Sequence, residues 1–467
     1  MRTVYTTEAS EDWTIAEGPG RNPGMYAYGV ETCPWVVGNS DPPTDQLLEM
    51  VVDSENMKAA WKQVKGNKGA AGVDRRNIAK TEAFLRDHWP DLRLGLLNGT
   101  YQTYPVLRVE IPKKGGGVRK LGIPTVVDRV VQQAICQVLN PIFDPGFSEF
   151  SYGYRPGRCA QDAIRQAQAF QNTGKHWVVD LDLKQFFDEV DHDILMSRLG
   201  RKIKDKRLKR LINAFLKAGV QCEQCILPTD KGTPQGGPLS PLLSNILLDD
   251  LDKELERRGL SFCRYADDCN IYVGSRRAAE RVMTSITRFV EGRLKLKVNQ
   301  QKSAVGRPVN RVFLGFSFYH GRNGVQIHVP ESTLKTFRHQ LKDLFRIGRG
   351  RNLERFIRED LNPVLRGWFQ YYGIGTSYRM LKTMDFWIRR RLRCILWRQW
   401  KRPWTRVKNL MARGFAYSVA RAGFNRRGPW WNAGTRLLIR ALPPFYFQKL
   451  GLFDFEDTLR ARRTTLT

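Results

Sequence analysis

Carboxylates in two apolar, strand-like segments limit what this 467-residue chain can fold into. Residues 177–183 (WVVDLDL) predict a buried strand, and period-two alternation places Asp180 and Asp182 on one face, opposite Leu181 and Leu183. A carboxylate on a core strand is costly unless a cation pairs with it, and either an Arg or a metal ion would serve. Periodicity alone does not separate Asp180 from Asp182.

The second segment predicts a hairpin with two adjacent carboxylates at its tip. Strand-like residues 261–265 and 270–273 flank residues 266–269 (ADDC), which include Asp267 and Asp268. An isolated Asp-Asp pair is more typical of a surface turn. Combined with a carboxylate late in an apolar strand, however, the pair favours a site for two Mg²⁺ ions, because converging Asp side chains supply the hard oxygen ligands that these ions need.

Two glycine-containing segments accompany these carboxylates. Residues 106–111 alternate between apolar and polar side chains and precede PKKGGG and residues 118–121, which predicts a hairpin with a cationic loop. Lys113 and Arg119 could bind a triphosphate there, although a solvated turn is the alternative. Residues 232–241 (GTPQGGPLSP) permit close backbone approach to a nucleotide or template, and Ser240 is predicted to cap the following helix.

The charge balance indicates a polyanionic partner. Lys and Arg number 77 against 46 Asp and Glu, a net charge of +31, while 42% hydrophobic residues predict a folded core rather than a disordered tail. Residues 1–50 hold 2 basic and 8 acidic side chains, whereas residues 331–467 hold 30 and 9. No apolar stretch is long enough for a membrane span. We interpret all eight cysteines as reduced, with the one close pair, Cys222 and Cys225, at most half a zinc site.

The segment YADD (265–268) resembles the YxDD box of reverse transcriptases, in the alanine form typical of group II intron-encoded proteins. Further boxes follow the family's order: LGIPTVVDRVVQQAI (121–135), SYGYRPGR (151–158), DLDLKQFFDEVDHDIL (180–195), GTPQGGPLSPLLSNILLDDLDKEL (232–255), KSAVGR (302–307), FLGF (313–316) and the maturase-like LNPVLRGWFQYYG (361–373). The chain is identified as a member of the group II intron-encoded reverse transcriptase/maturase family. It is most similar to the bacterial class C proteins without an HNH endonuclease, since no His follows residue 339.

The resemblance implies an α+β fold: a right-hand polymerase with fingers, a palm with an antiparallel sheet and a thumb, then a mainly helical maturase segment and a basic DNA-binding region. The expected divisions are an acidic, turn-rich N-terminal extension (1–50), an extension contacting template RNA (51–105), fingers and palm (106–325), thumb and maturase (326–405) and a C-terminal DNA-binding region (406–467).

Site residues follow from the same resemblance. Asp182, Asp267 and Asp268 match the catalytic, metal-binding aspartates, joined by the backbone carbonyl of Leu183, and Asp180 does not match. They would hold two Mg²⁺ ions, for which Mn²⁺ can substitute. Phe187 matches the aromatic gate against a ribose 2′-OH. The expected dNTP- and template-binding residues are Lys113 (with Lys114 adjacent), Arg119, Phe187, Gln235 and Gly236.

Basic residues elsewhere are expected to bind RNA or DNA. Lys62, Lys65 and Lys68, interleaved with glycines, suit a phosphate-binding loop. Residues 382–404 predict a helix with an apolar stripe and a cationic back, whose four tryptophans could be core or base-stacking residues. The expected nucleic-acid contacts in this part of the chain are Arg389, Arg390, Arg391, Arg393, Arg398, Arg426 and Arg427.

The implied function is RNA-directed DNA polymerisation, a Mg²⁺-dependent nucleotidyl transfer, combined with maturase activity. The protein would bind its group II intron RNA to assist splicing and use it as template for target-primed reverse transcription in retrohoming. Its expected partners are intron RNA, an RNA template with a DNA primer, target DNA and dNTPs, with no membrane and with protein partners unknown. It is expected in the bacterial cytoplasm as a ribonucleoprotein associated with chromosomal DNA. Two alternatives stay open: a domesticated or defence-associated reverse transcriptase without an intron, and an RNA-binding splicing cofactor with little polymerase activity.

Overall fold

The computed structural model describes residues 44–112, 118–222, 225–322 and 324–464, with side chains up to residue 461. They form two compact units, residues 44–326 and residues 327–464. The mixture of helices with largely antiparallel sheets confirms the α+β class. None of the described helices combines the length and apolarity that a membrane span requires. The seven cysteines within the described residues are free thiols.

The first unit contains ten α-helices, as far as the chain is described. They are α1 (Leu47–Val51), α2 (Ser54–Gly66), α3 (Ile78–Asn98), α4 (Val126–Phe143), α5 (Ala160–Asn172), α6 (Phe186–Glu189), α7 (His192–Gly200), α8 (Lys206–Lys217), α9 (Ser240–Arg257) and α10 (Arg276–Arg293).

The strands are β1 (Val106–Pro112), β2 (Val118–Ile123), β3 (Trp177–Leu181), β4 (Val220–Cys222), β5 (Cys225–Leu227), β6 (Ser261–Tyr265), β7 (Asp268–Val273), β8 (Ala304–Gly306), β9 (Ser317–Gly321) and β10 (Gly324–His328). One sheet has the order β2-β1-β4-β5 and the other β6-β7-β3-β8, while β9 and β10 pair separately. All pairs of the second sheet are antiparallel, as the sequence predicts for a palm. The predicted hairpin of β1 and β2 is present, with Pro112 opposite Val118.

Helices α4 and α9 form the centre of the first unit's core. Nearly all of α4 is buried, in keeping with its apolar composition. The predicted stripe on α9 is buried as well: Leu242, Leu243, Ile246, Leu247 and Leu251. The predicted cap at Ser240 was wrong. Ser240 is the first residue of the helix rather than its N-cap, and its hydroxyl donates to the Pro234 carbonyl (2.7 Å).

A fully buried ion pair connects this core to the second sheet. Arg264 on β6 donates to both carboxylate oxygens of Asp252 on α9, at 2.7 and 2.6 Å. Its Nη1 donates to Asn245 Oδ1 (3.0 Å) and the Ala266 carbonyl (2.9 Å), and Nη2, one of the two nitrogens bound to Asp252, also donates to Ser151 Oγ (2.8 Å). Buried charges are tolerated when they are paired and hydrogen-bonded in this way.

From residue 331 onward, all regular secondary structure in the described part of the second unit is helical. Its helices are α11 (Glu331–Ile347), α12 (Leu353–Arg355), α13 (Asn362–Tyr372), α14 (Tyr378–Gln399), α15 (Pro403–Met411), α16 (Tyr417–Ala420), α17 (Pro429–Asn432), α18 (Arg436–Ala441), α19 (Pro444–Lys449) and α20 (Phe455–Thr464). A π-helical turn, Phe356–Leu361, joins α12 to α13.

Helix α14 organises this unit. Its predicted apolar stripe is buried, and Asp385 beside that stripe accepts hydrogen bonds from the backbone of Phe455 (3.2 Å) and Glu456 (3.0 Å). These two N–H groups open α20, where they lack partners within that helix. Arg389, one turn further along α14, pairs with Asp454 at 2.7 Å. The last helix is therefore anchored by charge at its first turn.

We expect Arg264→Met to reduce the free energy of unfolding by about 3–5 kcal/mol, because it leaves the Asp252 carboxylate buried without its partner. Urea unfolding followed by circular dichroism measures the change. The matched control is Arg257→Met, which removes an exposed pair with Glu254 and should change stability by less than about 1 kcal/mol. Equal losses in the two variants would contradict the central role of Arg264.

Candidate active site

The predicted carboxylates meet at one end of the sheet β6-β7-β3-β8. Strand β3 pairs with β7 so that Leu181 lies opposite Cys269, and one further step of this register sets Asp182 opposite Asp268. Directly opposed residues point to the same face of a sheet. The buried side chains of Leu181 and Cys269 point to the core, so Asp182 and Asp268 share the more accessible face.

The carboxylate pair sits on a tighter turn than the sequence predicts. Tyr265 pairs with Asp268, so the turn consists of Ala266 and Asp267 alone, and Asp268 is the first residue of β7. Ala266 has φ +59°, a left-handed value at the first of the two central residues, as in type II′ turns, where glycine is preferred. The hydrogen bond from Arg264 to the Ala266 carbonyl holds this strained residue.

Gly153, in the predicted SYGYRPGR box, packs directly on this turn. A Cβ at Gly153 would lie 2.2 Å from the Ala266 nitrogen, a distance that only a shift of the backbone could relieve. Asn245 on α9 donates to the Gly153 carbonyl (2.9 Å), while its Oδ1 accepts from Arg264. The turn is thus pressed between the Gly153 backbone and the buried ion pair.

The pKa values of Asp267 and Asp268 lie above the ordinary value of a carboxyl group. At Asp268 the main cause is burial, because protein surrounds most of the carboxyl group even though part of the side chain reaches solvent. The negative charges of Asp267, Asp182 and Asp180 raise the pKa further, to about 7. At Asp267, burial and then Asp182 raise the pKa, whereas the charges of Arg119 and Lys302 lower it. Such mutual repulsion marks a site that a cation would stabilise.

The two aspartates on the β3 face have different partners. Asp180 pairs with Arg311 at 3.5 Å, so the Arg alternative raised by the sequence applies to this residue. Asp182 accepts from the Asn299 side chain at 3.2 Å and meets the Lys302 ammonium at 3.5 Å. The structure therefore separates two residues that strand periodicity could not.

Sequence reasoning missed the contacts of Asn299, Ser303 and Arg311 with this face. The Ser303 hydroxyl accepts from the Asp182 backbone at 2.9 Å. The KSAVGR box was the available signal, since it begins at Lys302, but its residue types alone do not indicate a contact with Asp182.

Arg119 and the glycine-rich segment lie around the same face. Arg119 is exposed on β2, and its positive charge offsets part of the rise in the pKa of Asp267. The Gly122 N–H on β2 donates to the Gln235 carbonyl (2.9 Å), and a Cβ at Gly236 would lie 2.6 Å from the Gly122 carbonyl oxygen. Lys113 and Lys114 lie outside the described residues.

Phe187, the predicted gate, is half-buried on the short helix α6 and packs edge-on against Phe186. Its carbonyl accepts from the Thr233 N–H at 2.7 Å. Gly232 has φ +93°, and a Cβ there would lie 2.9 Å from the same carbonyl. The glycine-rich segment thus runs directly beside the gate.

A metal site is not preformed among the described residues, where no group of three or more His, Cys, Asp or Glu side chains is already placed to hold an ion. The donor chemistry nevertheless fits a divalent cation: three carboxylates at one sheet end repel one another, and hard oxygen ligands are what Mg²⁺ takes. Leu183, whose carbonyl was predicted as a ligand, lies opposite Val298 in an antiparallel β-bridge. The backbone groups of Asp182 and Lys184 make the hydrogen bonds of this bridge, so the bridge does not use the Leu183 carbonyl.

The segment of residues 62–72, predicted to be a phosphate-binding loop, is not a loop throughout, because it begins within helix α2. Lys62 and Lys65 lie in the last turns of α2, and Lys65 pairs with Glu82 at 2.7 Å. Lys68 follows in a left-handed conformation and is exposed. A Cβ at Gly72 would lie 2.7 Å from the Thr125 backbone, so this glycine serves packing.

The cationic back of α14 also needs correction. Arg393 is 2% exposed and donates to the Leu442 carbonyl (3.0 Å), so it cannot contact a phosphate. Arg389 is held by Asp454. Arg390 and Arg391 stack on Trp430 at 3.9 and 4.6 Å. These arginines are used within the protein because helices α17, α18 and α20 cover this side of α14.

Other predicted nucleic-acid contacts are exposed. Arg398, Arg426 and Arg427 reach solvent, and Arg427 stacks on the exposed Trp431 at 4.1 Å. For the tryptophans left open by the sequence, burial decides: Trp397 and Trp400 are core residues and Trp387 is half-buried, whereas Trp404 is 57% exposed.

Comparison with known proteins agrees with this geometry. Residues 111–318 match the family "Reverse transcriptase (RNA-dependent DNA polymerase)", and residues 334–414 match "Group II intron, maturase-specific domain".

Individual relatives cover different parts of the chain. Protein YkfC of Escherichia coli is 32% identical over 350 residues, which are 65% of this chain and 92% of YkfC. The group II intron-encoded protein LtrA of Lactococcus lactis is 35% identical over 227 residues, 48% of this chain but 38% of LtrA. Among solved structures, a chain of a partial Cas6-RT-Cas1–Cas2 complex is 26% identical, with a TM-score of 0.35, over 52% of this chain and 42% of that one. With its reverse transcriptase and maturase-specific domains in one polypeptide, the chain has the right-hand polymerase fold and belongs to the group II intron-encoded reverse transcriptase/maturase family.

Proposed function

We propose that this protein copies RNA into DNA from a DNA primer and also acts as a maturase on its own group II intron RNA. In intron mobility the same RNA would serve as template for target-primed reverse transcription. The observation that carries the polymerase half is the meeting of Asp182, Asp267 and Asp268 at one end of an antiparallel sheet, beside Arg119 and the glycine-rich segment. The matched maturase-specific domain supports the second half.

The proposed cofactor is a pair of Mg²⁺ ions, for which Mn²⁺ can substitute. Asp182, Asp267 and Asp268 would hold them, with the Leu183 carbonyl as a further ligand. When bound, the ions supply Lewis-acid activation of the primer 3′-OH and neutralise charge on the triphosphate. Asp267 and Asp268 would stay ionised more readily with the ions present, because a bound cation offsets the burial and the repulsion that raise their pKa values.

Residues around the carboxylates would select and orient the nucleotide. The exposed Arg119 guanidinium can bind triphosphate oxygens, and Lys113 or Lys114 would assist. The Phe187 ring would exclude a ribose 2′-OH. Gln235 and Gly236, fixed to the β2 backbone at Gly122, would line the nucleotide pocket.

The basic second unit would bind intron RNA, and residues 406–467 would bind target DNA. Exposed Arg398, Arg426 and Arg427 can contact phosphates, and the exposed rings of Trp404 and Trp431 can stack on unpaired bases. Residues 51–105 would contact the template through the exposed Lys62 and Lys68. Action in the bacterial cytoplasm, as a ribonucleoprotein with chromosomal DNA, completes the proposal.

Primer extension on an RNA template with dNTPs and Mg²⁺ tests the polymerase half. We expect Asp267→Asn to lower the rate at least about a thousand-fold, because the isosteric amide removes a charge that the metal site needs. Glu280→Gln, which removes an exposed pair with Arg276, is the matched control and should match the wild type. An inactive wild type would favour a splicing cofactor instead. Activity without intron RNA binding would favour a defence-associated enzyme.

Stability in the absence of divalent cations should depend on the protonation of Asp268. Its pKa in the folded protein, about 7, lies above the value of roughly 4 expected for an unfolded chain. Between these values only the folded state holds the proton, so the free energy of unfolding falls as pH rises from about 4 to 7. Asp268→Asn should remove this loss, and urea unfolding at pH 5 and pH 8 in EDTA measures it. A pH-independent difference between wild type and variant would contradict the assignment.

RNA affinity should depend on exposed rather than buried arginines. Arg398→Gln is expected to weaken binding of intron RNA and to reduce the slope of log affinity against log salt by about 0.7–0.9, the loss of one phosphate contact. Arg393→Gln should instead destabilise the unit, because the replacement leaves buried hydrogen-bonding groups unpaired. Filter binding across a salt series, with thermal unfolding of each variant, distinguishes the two. Unchanged RNA binding by Arg398→Gln would contradict its role.

A further inference from the structure

Residues 299–303, which form the turn before β8, contact Asp182 at its backbone and at its carboxylate. We propose that Asn299 and Ser303 are positioning residues that fix the Asp182 carboxylate for the divalent cation. This inference rests on the proposed polymerase function, in which Asp182 is a metal ligand. Neither residue carries a charge, so their effect would be one of geometry rather than of electrostatic attraction.

Both backbone groups of Asp182 are held by this turn. The Asp182 N–H donates to Ser303 Oγ at 2.9 Å. The Asp182 carbonyl accepts from the Asn299 N–H at 2.8 Å and from the Ser303 hydroxyl at 3.2 Å. Strand β3 ends at Leu181, so these bonds continue the support of the backbone one residue beyond the strand.

The orientation of the Asn299 side chain is determined by a second bond. Its Oδ1 accepts from the Gln301 N–H at 3.2 Å, which directs the amide nitrogen towards Asp182 Oδ1, also at 3.2 Å. The Asn299 carbonyl accepts from the Ser303 N–H at 2.8 Å and closes the turn. The donor to Asp182 is therefore held in place before any ligand binds, as second-layer partners of metal ligands are.

The other oxygen of Asp182 is left for exchangeable partners. Oδ2 meets the ammonium of Lys302 at 3.5 Å, and the Lys302 side chain is 68% exposed. A contact with a long, solvated side chain is weak and readily replaced. One oxygen is thus fixed by a neutral donor, while the other faces the positive charge of a solvent-exposed side chain.

Arg311 ties the same turn to β3. Its guanidinium pairs with Asp180 at 3.5 Å and donates to the Lys302 carbonyl at 3.5 Å. Asp180 lies two residues before Asp182 on the same face, so the turn is attached to the strand on both sides of Leu181. This gives Asp180 a role that requires no metal.

Ser303→Ala and Ser303→Thr test the proposal, with the exposed Ser197→Ala as matched control. The first readout is the Mg²⁺ concentration that gives half-maximal primer extension. The second is the rise in unfolding temperature caused by Mg²⁺ alone, which needs no catalysis. We expect Ser303→Ala to raise the half-maximal Mg²⁺ concentration by about 10-fold, with little change in rate at saturating Mg²⁺. Ser303→Thr, which keeps the hydroxyl, should restore the wild-type value.

Asn299→Ala provides a second arm, because it removes the side-chain donor and keeps the backbone bond to Asp182. We expect a similar shift in Mg²⁺ dependence from this variant, and it decides the question should Ser303→Ala fail to fold. Wild-type Mg²⁺ dependence in folded variants, in both readouts, would overturn the proposal. A wild type that does not extend primers would overturn the polymerase function instead, while the unfolding measurement would still test the positioning role.

Discussion

The buried guanidinium of Arg264 is the interaction on which the candidate site depends. It joins β6 to α9 through Asp252, to the Ser151 hydroxyl and to the turn that carries Asp267. Removing a charge from water costs several kcal/mol, and here the cost is offset by a bidentate ion pair and three further hydrogen bonds. A neutral apolar side chain could fill the same volume, but it could not hold the Ala266 carbonyl. The ion pair between Arg264 and Asp252 therefore positions the turn in addition to stabilising the fold.

Holding the turn in place matters because the site contains two features that destabilise the folded state. Ala266 adopts a left-handed backbone, and Asp182, Asp267 and Asp268 repel one another at the end of the sheet. Both features favour a relaxed arrangement in which the carboxylates move apart. The Gly153 backbone on one side and Arg264 on the other exclude that relaxation. Backbone strain and carboxylate repulsion therefore occur together at this turn, and a bound divalent cation would relieve the repulsion.

Much of this could be predicted from the sequence, and the remainder has a physical explanation. Period-two alternation identified the face shared by Asp180 and Asp182, and apolar runs identified the hairpin that carries Asp267. The partners of these groups escaped prediction. Asn299 and Ser303 lie more than a hundred positions after Asp182, and neutral polar residues in a turn produce no periodic signal. The pairing of Asp180 with Arg311 is equally non-local. Such contacts depend on which strands become neighbours, and local pattern does not specify that.

The same limitation explains why net charge overstated the nucleic-acid surface of the second unit. A helical stripe predicts which residues of α14 face the core, and this prediction was confirmed, but it assumes that the opposite side faces solvent. Helices α17, α18 and α20 cover part of that side, and they draw Arg389, Arg390, Arg391 and Arg393 into ion pairs, ring stacking and carbonyl contacts. Arginine suits these positions because its planar guanidinium stacks on rings and donates several hydrogen bonds. Part of the basic excess in this unit therefore stabilises the protein itself, and the capacity to bind phosphate rests with arginines that solvent can reach.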